Sequence, residues 1–155
     1  MSHITGKTDT NLVTATPEAI VDAVLQFIRQ KQIPAAIALF DEAATFVDYG
    51  LNLKFDNRQR LMEFFNKQIE LYPDSLLTVD LQSSRGDNVT VVWTLNASVS
   101  QPALGGRTRS VAVVLRGASL ICVRDGKIAE WTEFYDGLTS RRTALGDHFR
   151  DWLEY

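Results

Sequence analysis

Sulfur and imidazole are scarce in this chain: one cysteine, Cys122, and two histidines, His3 and His148, stand among 155 residues. A lone cysteine excludes an intrachain disulfide and points to a reducing compartment. Two histidines so far apart argue against a structural zinc site, so no metal is expected. Basic excess is lacking too. Sixteen Lys and Arg against nineteen Asp and Glu leave a net charge of −3, with no surplus to neutralise nucleic-acid phosphates. No apolar run approaches the roughly 20 residues that a membrane span needs, and the opening MSHITGKTDTNLVTAT has no signal-peptide core. Gly-rich phosphate loops, HExxH and Ser-His pairings are absent. The expectation is a cytoplasmic protein without nucleic-acid or membrane partners.

What is present is enough apolar sequence, 45%, for one core that buries roughly two-thirds of the unfolded surface. Residues 1–15 are polar and aperiodic and read as a flexible N-terminal arm, with a single domain over 16–155. Thr16-Pro17-Glu18 is a helix start, and Ile20, Val24, Phe27 and Ile28 recur at helical spacing behind it. Pro34 opens a second short helix carrying Ile37, Leu39 and Phe40. Ala44–Asp48 is a short β-rich run closed by Gly50. Asp56 and Gln59 resemble a capping box for a helix that places Leu61, Phe64, Phe65, Ile69 and Tyr72 on one face, up to Pro73.

Beyond Pro73 the period changes to two. Strands are predicted over Leu76–Ser83, Asn88–Ser100, Arg109–Val123 and Lys127–Asp136, with turns at Gly86-Asp87 and Asp125-Gly126. Gly117 is expected to mark a bulge or bend. A final helix from about Thr139 carries Leu145, Phe149, Trp152 and Leu153 on one side. Three helices followed by a strand meander imply an α+β fold, a curved antiparallel sheet wrapped around the long helix. The last strand pairs only with its hairpin partner in this reading, which leaves a sheet face for a second subunit.

The order of these elements and three stretches, IALFDEAATFVDYG (37–50), RLMEFFNKQ (60–68) and VRDGKIAEWTEFYD (123–136), resemble the SnoaL-like branch of the nuclear transport factor 2-like superfamily. The resemblance covers about residues 16–138. It implies a cone of bent sheet and helices around one internal pocket, and a homodimer through the outer sheet face. It also implies no cofactor, and a function that the fold alone does not decide, since the superfamily holds cyclases, isomerases, epoxide hydrolases, dehydratases and non-catalytic binders.

Two candidate catalytic residues follow. Asp48 matches the position of the general base in the ketosteroid isomerases. Independently, a carboxylate at a strand end among Phe46, Val47 and Tyr49 is expected to be partly desolvated, and desolvation favours the proton-abstracting range. The structural alternative is an Asp that accepts hydrogen bonds from loop backbone. Asp136 matches the acid at the end of the closing strand in the epoxide hydrolases, with a turn or cap role before Gly137 as its alternative. Facing one cavity, the two would suit paired acid and base work. Tyr49, Phe64, Trp93, Phe134 and Trp131 are the candidate ligand-binding residues, with core or dimer packing as the alternative for each aromatic.

Alternation along the last strand sets Trp131, Glu133 and Tyr135 opposite to Asp136, towards the dimer unless a bulge intervenes. The middle strand has Val92-Trp93-Thr94 where the epoxide hydrolases carry an acid. Val24 and Ala118 stand where the isomerases carry their oxyanion donors, so the resemblance implies neither of those machineries. The expected ligand is a small apolar or aromatic molecule. The two functional expectations are cofactor-free acid–base chemistry on an apolar carbonyl compound, or a non-catalytic ligand-binding or protein-interaction module.

Overall fold

The structure is a computed structural model in which residues 15–102 and 104–138 are described. The N-terminal arm up to residue 14, the helix expected from Thr139, Arg141, Arg142 and both histidines lie outside the described residues.

Helix α1 spans Pro17–Arg29, capped by the Thr16 side chain, which accepts from the Ala19 N–H, with Pro17 in the first turn. Its buried stripe is Ile20, Val21, Val24 and Leu25. It ends in a Schellman turn: Lys31 N–H donates to Ile28 O and Gln32 N–H to Phe27 O. Helix α2 spans Ile33–Ala38 and helix α3 Arg58–Leu71. The cap of α3 is Asn57 rather than Asp56, its side chain accepting from Gln59 and Arg60 N–H at 2.9 and 3.2 Å. Both residue types cap equally well, so the sequence leaves a one-residue ambiguity there.

The strands are β1 (Phe40–Asp48), β2 (Leu53–Phe55), β3 (Leu76–Arg85), β4 (Asn88–Pro102), β5 (Thr108–Arg124) and β6 (Lys127–Tyr135). They form one six-stranded sheet in the order β2-β1-β6-β5-β4-β3. The β5–β6 turn has Asp125 and Gly126 at φ 49° and 71°, the backbone of a type I′ hairpin. Every pairing is antiparallel except β1–β6, which is parallel, with Asp48 opposite Glu133. The last strand is therefore paired on both sides, correcting the reading that gave it a hairpin partner alone. A parallel partner 85 residues upstream, as Asp48 is of Glu133, leaves no local signal in the chain. Gly117 marks no bulge. The β4–β5 register runs unbroken through Trp93↔Gly117, and a Cβ there would meet the Trp93 ring and lie 2.7 Å from the Phe134 carbonyl. The glycine is required by the close approach of an indole.

The sheet curves over α1 and α3. On its inner face Val89, Val91, Ile121, Ile128, Phe46 and Trp131 are buried with the α1 stripe. Phe46 is the aromatic hub, with ring centroids 5.5–6.3 Å from Phe55, Phe64, Phe65 and Trp131. On α3 only Leu61 is fully buried, whereas Phe64, Phe65 and Ile69 are half-buried. Their stripe faces a space that the sheet does not fill.

Candidate functional site

That space is a cavity of about 190 Å³ between the inner sheet face and helices α1 and α3. Leu25 and Ile28 of α1, Phe64, Phe65 and Ile69 of α3, and Leu77, Leu95, Trp93 and Trp131 of the sheet make its apolar walls. Polar groups converge on its inner end. β1 delivers Asp48, β5 Ser119, and β6 Glu133 and Tyr135, because alternate residues of a strand share one face.

Asp48 is 2% exposed. Its Oδ1 accepts from Leu51 N–H at 2.7 Å and its Oδ2 from the Tyr135 hydroxyl at 3.0 Å. Glu133, its neighbour across the parallel pair, accepts at Oε1 from Trp131 Nε1 at 3.1 Å and more weakly from Ser119 Oγ at 3.4 Å. Ser119 Oγ in turn accepts from Trp93 Nε1 at 3.0 Å. Burial first, and then the Asp48 charge, push the Glu133 carboxyl up to about 7, against the opposing pull of the Trp131 and Ser119 hydrogen bonds. The same two causes in the same order drive the Tyr135 phenol well above its ordinary range, so it is a neutral donor at any working pH. The chemistry available is proton uptake and release at Glu133 near neutrality, inside an apolar cavity, beside a second carboxylate anchored by two donors. Among the described residues, no group of three or more His, Cys, Asp or Glu is placed to hold a metal ion.

The expected site residues divide between the two sides of the sheet. Asp48, Phe64, Trp93 and Trp131 line the cavity. Asp136 does not share it. Its side chain is exposed and its Oδ1 accepts from Leu138 N–H at 2.9 Å, so the expectation of Asp48 and Asp136 facing one cavity is corrected. Tyr49 and Phe134 stack on each other at 5.0 Å on the outer face, 60% and 43% exposed, away from the cavity. The carboxylate that does meet Asp48 is Glu133. Trp131, Glu133 and Tyr135 face inward without any bulge between them, since the β5–β6 register is regular from Gly117↔Tyr135 to Cys122↔Glu130. Their parity relative to Asp136 was legible, but which parity faced inward was not. The usable signal was Trp131-x-Glu133-x-Tyr135, a carboxylate sharing a strand face with two large aromatics that the core claims.

Gly50 leaves room for the Tyr135 phenol: a Cβ at residue 50 would overlap the ring. Gly50→Ala is therefore expected to displace Tyr135 from Asp48 and to cost about 1–3 kcal/mol, the range for overpacking a rigid ring. Chemical denaturation checks this, and an unchanged midpoint overturns it.

Residues 19–143 match the model of the SnoaL-like polyketide cyclase family. No curated protein sequence matches the chain. Among solved structures, a protein of nuclear transport factor 2-like fold from Burkholderia thailandensis E264 is 18% identical with a TM-score of 0.70, over 83% of this chain and 97% of that one. A protein with a ketosteroid isomerase-like fold from Catenulispora acidiphila DSM 44928, in complex with trimethylamine, is 20% identical at 0.67, over 84% and 95%. TerC, co-crystallised with polyporic acid, is 17% identical at 0.66, over 84% and 99%. At these identities the likeness establishes the fold, an α+β cone.

Proposed function

The chain belongs to the SnoaL-like polyketide cyclase family, and from that premise we propose that it binds a compact, mainly apolar carbonyl compound and moves a proton on it without a cofactor. The observation that carries this reading is the pair of carboxylates, Asp48 and Glu133, side by side at the inner end of one apolar cavity. Glu133 is the acid–base group, and it takes a proton from the carbon next to the carbonyl. Asp48, held by Leu51 and Tyr135, is the charge that tunes it. Cyclase, isomerase and dehydratase steps all contain this transfer. That TerC was crystallised with polyporic acid supports the choice of a cyclic carbonyl probe.

The test is deuterium incorporation at the benzylic α-carbon of 2-tetralone in D₂O, followed by NMR. Exchange faster than the buffer rate is the expected result. Binding of 2-tetralone without accelerated exchange favours a non-catalytic binding module of the same fold.

The assembly belongs to the same proposal: a homodimer through the outer sheet face. Val92, Ala118 and Phe134 lie in cross-strand register there, and Val92, Leu120 and Phe134 are 37%, 50% and 43% exposed. Apolar side chains clustered on one exposed sheet face support this reading. Light scattering is expected to give twice the chain mass at micromolar concentration, and Phe134→Arg is expected to give the monomer. A monomeric wild type overturns it.

A further inference from the structure

We infer that the ligand of the cavity is an anion: a compact apolar body with one carboxylate or comparably delocalised anionic group, seated at the mouth against Arg29 with Lys31 beside it. The inference rests on reading the cavity as a ligand site and adds the charge and orientation of what enters.

Four charged residues line the cavity, and they are sorted by depth. Asp48 and Glu133 are at the inner end, whereas Arg29 and Lys31 are exposed where the cavity meets solvent. The side chain of Arg29, in the last turn of α1, has no hydrogen bond or ion pair among the described residues, so its guanidinium is available to a bidentate acceptor. Lys31 stands at φ 59°, the left-handed position after a helix that glycine normally fills. Its Nζ donates to the carbonyl of Pro73, in the connection between α3 and β3, and thereby bridges two elements at the rim. Asp74, next in sequence, shares the field of that ammonium, which makes Arg29 the principal anchor.

A neutral ligand draws nothing from this arrangement. An anion entering charged end first would meet two carboxylates in an apolar setting, where like charges repel most strongly. Only one orientation satisfies both ends: the anionic group outward at Arg29, the apolar body inward, and its far carbon beside Glu133.

Calorimetry with 2-naphthoate and 2-naphthamide at pH 7.5 tests this, because the two probes share a shape and differ in charge. The wild type is expected to bind naphthoate about five-fold or more tightly than naphthamide, the scale of one partly exposed ion pair. Added salt should shrink that preference. Arg29→Gln should bring the ratio near unity, with naphthoate losing more affinity than naphthamide. Lys31→Gly, which glycine's backbone freedom permits, should lower the ratio by a smaller factor. Equal binding of the two probes by the wild type, or a preference that survives Arg29→Gln, overturns the inference and leaves the ligand-site reading intact. Failure of both probes to bind overturns the two together. A preference for naphthoate without exchange on 2-tetralone overturns only the catalytic half of the proposed function.

Discussion

Glu133→Gln is expected to abolish deuterium exchange on 2-tetralone, a loss of about 10²–10⁴-fold if Glu133 is the base, and to make the protein more stable at pH 8. The two effects share one cause. With the folded-state carboxyl at about 7 against an ordinary value of 4.5, the folded protein holds a proton between these values that the unfolded chain has released. The contribution of this group is fully present below pH 4.5 and is lost as pH rises through about 7. The loss amounts to about 2–3 kcal/mol, the upper end applying if water is excluded from the carboxyl. Glutamine keeps an acceptor for Trp131 Nε1 and has no charge to desolvate, so the variant should lack this decline. The wild type should show it in urea denaturation at pH 5 and pH 8. Its exchange rate should rise through pH 7 as the base ionises. Equal pH slopes in both proteins would remove Glu133 from the buried acid–base role.

How much of this was legible depends on which signals are local. The α1 cap at Thr16, the Asp125-Gly126 turn and the period-two runs of β3 to β6 are written in neighbouring residues, and the structure places them within a few positions. Strand β1 begins at Phe40 rather than Ala44, because its first half pairs in an irregular register with β6. Phe40, read as helical, is instead core packed on Trp131 at 5.8 Å. The three-residue β2 has no pattern of its own and exists by pairing with the end of β1.

The site is harder to read for the same reason. Asp48 is recognisable as a strand-end carboxylate between apolar neighbours, but that pattern does not say what its two oxygens meet. It accepts from the loop N–H of Leu51, and it also faces the cavity. Parity sets Glu133 opposite to Asp136 but does not say which of the two faces inward. A strand with aromatics on both faces, Trp131 and Tyr135 on one and Phe134 on the other, does not announce which face is buried. The parallel β1–β6 pairing that decides it is long-range. Phe134 and Tyr49 satisfy one another by stacking outside, where an aromatic pair gains contact without a core.

Substitution at Asp48 separates its two remaining roles. Asp48→Ala leaves the Leu51 N–H and the Tyr135 hydroxyl without their acceptor, at a cost of roughly 3 kcal/mol, whatever the residue does in the chemistry. Asp48→Asn is the informative change, because its amide oxygen still accepts from Leu51 while the charge is gone. If Asp48 were itself the base, exchange would vanish at every pH. If it acts through Glu133, removing its charge takes away the second cause that holds the Glu133 carboxyl high and leaves the first, burial. The Glu133 pKa then falls partway towards its ordinary value. Activity survives, and its rising limb moves to lower pH than in the wild type. The rate at high pH drops modestly, since a less basic carboxylate is a weaker proton acceptor. An acid-shifted profile with retained exchange makes Asp48 the positioning and tuning residue. A flat loss makes it the base and returns Glu133 to the role of a buried partner.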